Sequence, residues 1–178
     1  MIQYKRASNT KELDQIIALQ QQNLNQNVST EDKNNEGFLS VQHDLEILTK
    51  MNDDCPHIIA KSNDLVVGYA LCMDKKFANN IEVLKPMFVQ IESAFEKNIN
   101  YVTMGQICID KAFRRQGIFK GLYEFMKNEL TSKFDMVITE VDSTNLRSLN
   151  AHKAVGFKSV KSYKAGLQTW VLVYWNWK

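Results

Sequence analysis

Two prolines and seven glycines are all that 178 residues hold, and they do not gather into a linker. Nothing therefore marks a boundary between domains, and one domain over residues 1–178 is the expectation. Cysteine is scarce as well. Cys55, Cys72 and Cys108 lack the close spacing of a zinc knuckle or a redox pair, which predicts free thiols in a reducing, cytoplasmic setting and no bound metal. No apolar run approaches the ~20 residues that cross a bilayer. The opening "MIQYKRASNT" has no apolar signal-peptide core, so no membrane partner is expected. A formal net charge of +2 carries no broad basic excess, which argues against a nucleic-acid partner. Any phosphate recognition must be local.

What is present is an ordinary globular composition, 44% hydrophobic and 10% aromatic, enough for a real core. "IQYKRAS" alternates like a first strand. Thr10 is placed to cap the helix "KELDQIIALQQQNL". The polar stretch from Asn23 to Asn35 reads as a loop, and "SVQHDLEILTKMND" returns to helical periodicity through Val41, Leu45, Leu48 and Met51. "HIIAKSNDLVVGYALCM" predicts two strands joined at "SND", with Gly68 at a bulge. Residues 79–97 look helical but contain Pro86, which predicts a kink or break. "INYVTMGQICID" predicts a strand with a bulge or splay at Gly105. The remainder reads as helix, apolar strand "FDMVITEVD", the short helix "NLRSLNAHKAVGF" ending at Gly156, and a closing strand pair. The layout is mixed α/β.

The segment "DKAFRRQGIFKGLYEFMKNEL" concentrates the chemistry. The turn "RRQGIFK" joins a strand to a helix, where free backbone amides and the helix dipole favour an anion. Gly117 allows close approach of the backbone, and Arg114, Arg115 and Lys120 add cation. Neither a Walker loop nor a dinucleotide fingerprint is present. Taken alone, the turn reads equally well as a solvated basic loop.

Arg114, Arg115, Gln116, Gly117 and Ile118, followed one strand later by Asn145 and the helix ending Gly156-Phe157, resemble the two linked motifs of the GNAT superfamily, the Gcn5-related N-acetyltransferases. The resemblance runs from about Val102 to Phe157. It implies a mixed, mostly antiparallel central sheet with a splayed pair of strands and flanking helices, and acetyl-CoA as co-substrate. On that resemblance the turn from Arg114 to Lys120, including Phe119, cradles the pyrophosphate. Backbone of Ile107, Cys108 and Ile109 pairs with the pantetheine arm, the Ile109 amide polarising the thioester carbonyl, and Asn145 reaches the arm from the second motif. Two positions depart from the pattern: Phe119 stands where a small residue is usual, and His152 where the family often has tyrosine. A phenylalanine there must point away from the pyrophosphate or reshape the cradle. His152 is the candidate acid for the departing thiolate, its alternative being to pack beside the cofactor. Arg147 and Lys153 face the phosphates or solvent.

The expected reaction is acetyl transfer to a primary amine of a small molecule or peptide by direct aminolysis. A CoA-binding sensor that has lost catalysis is the alternative, and an RNA-binding protein a distant third. Asp110, Glu140 and Asp142 are candidates for base or substrate roles. Cys108 reads as inert packing, and His43 and His57 as structural. "NEGFLS" (35–40) is a candidate acceptor wall, with Glu31, Asp32 and Glu36 able to attract a cationic amine. The aromatic last strand suggests core packing and could support a homodimer.

Overall fold

The computed structural model describes residues 1–29, 38–79, 81–96 and 98–178. The first strand, β1 (Ile2–Arg6), leads into helix α1 (Thr10–Asn23). The cap of α1 is Asn9 rather than Thr10, its side-chain oxygen accepting from the Glu12 amide at 3.0 Å. Helix α2 spans Leu45–Asp54 and is capped by Asp44, so the helical periodicity read from Ser40 overreached. Val41 and His43 are held outside the helix by Gln106 and Gln20, whose side chains bond the Val41 carbonyl and the His43 amide. Strands β2 (Ile58–Ser62) and β3 (Leu65–Met73) follow as a hairpin with Asn63 at φ 53°. Helix α3 (Lys85–Ala94) carries Pro86 in its first turn. Proline there starts the helix instead of kinking it, because that amide has no helical partner to lose.

The second half alternates β4 (Tyr101–Ile109), α4 (Ile118–Leu130), β5 (Met136–Asp142), α5 (Leu146–Val155), β6 (Lys158–Ala165) and β7 (Gln168–Asn176). The seven strands form one sheet in the order β1-β2-β3-β4-β5-β7-β6. All neighbours are antiparallel except β4 and β5. Apolar β5 is central, whereas β6, with Lys158, Lys161 and Lys164, is an edge, where charge discourages further pairing. Aromatic β7 lies between β5 and β6, which removes it as a free edge for a dimer.

Each face of the sheet buries its own cluster. Leu13, Ile16, Leu48, Met51, Met87 and Ile91 from α1–α3 cover one side. Ile118, Leu122, Tyr123, Met126 and Leu130 from α4 cover the other, joined by Phe157 beyond α5. Each such side chain contributes roughly 1.5–3 kcal/mol of burial, so two-sided cover is what keeps the sheet's centre dry. Among the described residues, no helix is long and apolar enough to cross a membrane.

Two irregularities position the site. Between the pairs Ala70↔Ile107 and Cys72↔Met104, two β4 residues, Gly105 and Gln106, oppose Leu71 alone. This is the bulge expected at Gly105. Buried Gln106 pins it, accepting from the Tyr69 hydroxyl at 2.6 Å and from Gln20 at 2.9 Å. Beside it, β4 and β5 pair only at Tyr101↔Met136, Val102↔Val137 and Thr103↔Ile138. Both strands run on, to Ile109 and Asp142, without further pairing. The sheet splays open there.

Candidate active site

A cleft of about 270 Å³ occupies one side of the splay. Its floor is the free side of β4. The Asp110 amide donates to the Val67 carbonyl of β3 at 2.9 Å, and the Cys108 carbonyl also faces β3, at Gly68. Strand alternation therefore turns the amides of Ile107 and Ile109 away from β3, toward the gap before β5. Ile107, Cys108 and Ile109 all line the cleft, as do Arg114, Arg115, Gly117, Ile118, Phe119 and Asn145. Burial pushes the Cys108 thiol up to about 12, so it stays a thiol rather than a nucleophile.

The turn before α4 takes its shape from Arg115 and Gly117, with φ of 62° and 79°. Only glycine holds the second of these without strain. Nothing stands within 4 Å of where a Gly117 Cβ would be, so the position needs glycine for its backbone rather than for room. Arg114 folds inward, its Nε donating to the Ile109 carbonyl at 3.1 Å and its terminal nitrogen to Asn23 Oδ1 at 2.6 Å. Phe119 points to the cleft wall, edge-on to His152 at 5.0 Å and to Tyr123 at 5.3 Å. Its bulk is thus directed between α4 and α5 while its amide stays in the helix's first turn. Gln116, Lys120 and Lys153 do not line the cleft. Gln116 and Lys153 are exposed, and Lys120 pairs with Glu124 at 3.5 Å on the outer face of α4. Arg147 does line it, a cation that the helix pitch left ambiguous between solvent and site.

A second cavity of about 90 Å³ lies on the other side of the splay. The two share Phe38, Leu39, Ile107, Asn145 and Ser148. Asn145 is buried and caps α5, accepting from the Ser148 amide at 3.1 Å and facing the Phe38 carbonyl at 3.5 Å. Phe38 and Leu39 come from the expected acceptor wall; Glu31, Asp32 and Glu36 lie outside the described residues. Leu39 is tied to α1 through its amide, which donates to the Asn23 carbonyl at 2.9 Å. Asn23 thereby joins this wall to Arg114 of the turn, a link that its place in a polar stretch did not reveal.

Glu140 faces the second cavity. Burial pushes its carboxyl up to about 7, against the opposing pull of a hydrogen bond from the Tyr163 hydroxyl. Of the other acidic candidates, Asp142 lines the same cavity and Asp110 does not. Asp142 accepts from Thr144 and from Gln168 at 3.1 Å, and Asp110 caps the short turn after β4 through the Ala112 amide.

His152 departs from the expected acid. It is 1% exposed, and burial holds its ring down at about 4, which leaves it neutral near pH 7. Nδ1 lies 2.8 Å from the Ser148 carbonyl, an acceptor only, so Nδ1 carries the proton and Nε2 accepts from the Tyr123 hydroxyl at 2.7 Å. Both nitrogens are thus engaged within the protein, an arrangement suited to packing rather than to proton donation. Ser148 Oγ, 3.3 Å from His152 Nδ1, is the one hydroxyl among the described residues lining both cavities. A serine inside a short helix carried no signal of this in the sequence.

The model of the acetyltransferase (GNAT) family matches residues 22–157. Among solved structures, the chain is similar to the ribosomal-protein-S18-alanine N-acetyltransferase from Escherichia coli, with 12% identity, TM-score 0.67, and 99% of this chain and 94% of that one covered. It is similar to a chain of the NatC complex bound to Gag peptide and CoA, with 17% identity, TM-score 0.68 and 98% of each chain covered. It also resembles yncA from Salmonella typhimurium, solved with its cofactor acetyl-CoA, with 14% identity, TM-score 0.64, and 99% and 94% covered. At these identities the likeness speaks for the fold. No curated protein sequence matches the chain.

Proposed function

The chain belongs to the GNAT family of acetyltransferases, with acetyl-CoA the acetyl donor, and from that premise we propose that it acetylates a primary amine by direct aminolysis. The observation that carries this reading is the meeting of two cavities across the splay, at Ile107, Asn145 and Ser148. One runs beside Ile107, Cys108 and Ile109 of β4 to the turn at Arg114, Arg115 and Gly117. The other contains a carboxyl poised near neutrality.

In this reading the Ile107 and Ile109 amides pair with the pantetheine arm, and one of them is directed at the thioester carbonyl, where developing negative charge gains most from a fixed donor. Backbone amides from Arg115 to Phe119 receive the pyrophosphate, with Arg114, Arg115 and Arg147 supplying charge from the cleft. Glu140 takes the proton of the entering ammonium. A base near the working pH is half-charged yet basic enough to act, which favours a carboxyl at about 7 over an ordinary one. As the carbon–nitrogen bond forms and the carbon–sulfur bond breaks, the Ser148 hydroxyl, where the two cavities meet, would supply the proton that the departing thiolate takes up. His152 keeps Ser148 and Phe119 in place. The three buried free thiols fit work in a reducing compartment such as the cytoplasm.

The test is thermal stability with and without acetyl-CoA, on the protein and on Gly117→Glu, followed by thiol release when an amine is added. A ligand-dependent rise that the variant loses, with amine-dependent thiol release, supports the reading. Binding without thiol release under any amine would instead indicate a CoA-binding module. No rise at saturating acetyl-CoA would remove the cleft from the mechanism.

A further inference from the structure

Residues 38–44 form no helix and no strand beyond one bridge at Leu39, yet Phe38, Leu39, Ser40 and Val41 make a wall of the second cavity, which Leu84, Met87 and Trp170 also line. Leu39 bridges in parallel to Leu24, just past the end of α1. The Leu39 amide donates to the Asn23 carbonyl and the Asn25 amide to the Leu39 carbonyl, each at 2.9 Å. Further along, side chains hold the segment, Gln106 at the Val41 carbonyl and Gln20 at the His43 amide. A lone bridge opens more readily than a ladder, because few bonds must break together.

Asn23 stands at the junction of this wall with the donor cleft. It is the last residue of α1, so its carbonyl has no partner within the helix, and Leu39 supplies one. The residue is 9% exposed, and its side chain is engaged at both ends. Nδ2 donates to the Leu19 carbonyl one turn back at 2.9 Å, and Oδ1 accepts from Arg114 at 2.6 Å. Arg114 also holds the Ile109 carbonyl at the end of β4. Asn23 and Arg114 both line the donor cleft. A molecule filling that cleft covers the bond between them and excludes the water that competes for the guanidinium. A hydrogen bond to a charged group strengthens as its surroundings become drier. Filling the donor cleft therefore firms the last turn of α1, and with it the carbonyl that holds Leu39.

We infer that Asn23 is a positioning residue that couples the two halves of the site: acetyl-CoA in the cleft fixes Asn23 through Arg114, and Asn23 fixes Leu39 and the acceptor wall. This rests on the acetyltransferase reading of the site. The wall beside Glu140 is then formed most fully while the donor is bound. By linkage the dependence is mutual, and a formed wall favours acetyl-CoA by the same factor.

The experiment follows amide hydrogen exchange by NMR, residue by residue, with and without saturating acetyl-CoA, on the protein, Asn23→Ala and Asn23→Asp. Asn25 is the reporter, since its amide bonds the Leu39 carbonyl while the residue itself lines neither cavity. Acetyl-CoA should slow its exchange about tenfold, within the ordinary range of coupling between sites. Asn23→Ala loses the oxygen that Arg114 meets and should abolish the slowing, while thermal stabilisation by acetyl-CoA persists. Asn23→Asp keeps that oxygen and should restore the slowing. A residue that only braces the fold would raise exchange equally with and without acetyl-CoA, so slowing that persists in Asn23→Ala overturns the inference. Equal loss of slowing in both variants, each still binding acetyl-CoA, does so too. Unslowed exchange at Asn25 in the unmodified protein with acetyl-CoA bound also overturns it, a result that needs no variant to fold. Absence of any thermal stabilisation by acetyl-CoA removes the acetyltransferase reading and this inference together, whereas stabilisation without slowing removes the inference alone.

Discussion

Replacing Glu140 with glutamine separates two consequences of a buried carboxyl. Glutamine keeps the shape and an oxygen for the Tyr163 hydroxyl but loses the base. In the folded protein Glu140 ionises at about 7, against ~4.3 in an unfolded chain. Between those values the folded state holds the extra proton, so stability falls as pH rises. The loss begins near the unfolded value and is complete above 7. The full difference of about 2.7 units is worth roughly 3.7 kcal/mol, of which about 2.5 kcal/mol falls between pH 5 and pH 8. Glu140→Gln has no such loss. For a chain of this size each kcal/mol moves Tm by about 2–4 °C, so the variant should gain about 5–10 °C on the unmodified protein as pH goes from 5 to 8. Its acetyl transfer should fall by about 10²–10⁴-fold, the usual value of a general base. Thermal melts at both pH values and thiol release provide the readouts. If the two proteins lose stability in parallel, Glu140 is not held protonated by its surroundings. If the variant keeps its rate, Glu140 is not the base.

Tyr163→Phe removes the hydrogen bond that favours the charged form of Glu140. A bond to a charged group is worth about 1.5–3 kcal/mol, so the acidic limb of the kcat/KM profile should move up by about 1–2 pH units; an unmoved or lowered limb would contradict the assignment. Ser148→Ala should lower kcat about tenfold while thermal stabilisation by acetyl-CoA persists, because the helix cap uses the Ser148 amide and not its hydroxyl. An unchanged kcat would mean that the thiolate takes its proton from solvent. Glu12 joins α1 to β1 and β2. Burial alone would raise its carboxyl, but bonds from Lys5, the Ser8 amide and Lys61 outweigh this and hold it down at about 2. Its contribution is present above ~4.3 and is lost as pH falls through about 2, so Glu12→Gln should cost about 3 kcal/mol in neutral urea melts and nearly nothing at pH 2.

The parts of this fold that were legible in the sequence are those decided within a few residues. The glycine turn, the Asn145 cap, the Gly156 stop and the bulge near Gly105 each follow from local backbone demands, and local demands leave a local pattern. The start of α2 did not, because apolar spacing from Val41 onward suited a helix. What holds Val41 and His43 out of it is Gln106 and Gln20, 65 and 23 residues away. Pro86 was misjudged for a related reason: proline has opposite effects at a helix's first turn and in its middle, and the boundary was the unknown.

The site divides along the same line. Its proposed donor half is built mostly from backbone around two adjacent motifs, which is why those motifs point to it, whereas Gln116, Lys120 and Lys153 do not line the cleft. The proposed acceptor half is built from side chains that meet only in space. Leu84, Met87 and Trp170 are separated by up to 86 positions, each an ordinary core residue, and Glu140 differs from other strand-end carboxylates only in what buries it. Even His152, sitting where a proton donor was expected, owes its neutrality to burial among side chains from other elements, Phe119, Tyr123 and Phe157. A residue's titration belongs to its surroundings rather than to its type. An enzyme that must accept one donor and many possible amines would vary this scattered half while keeping the compact one. The resulting expectation is that substitutions at Leu84 and Met87 change which amine is acetylated, while those at Gly117 change whether acetyl-CoA binds.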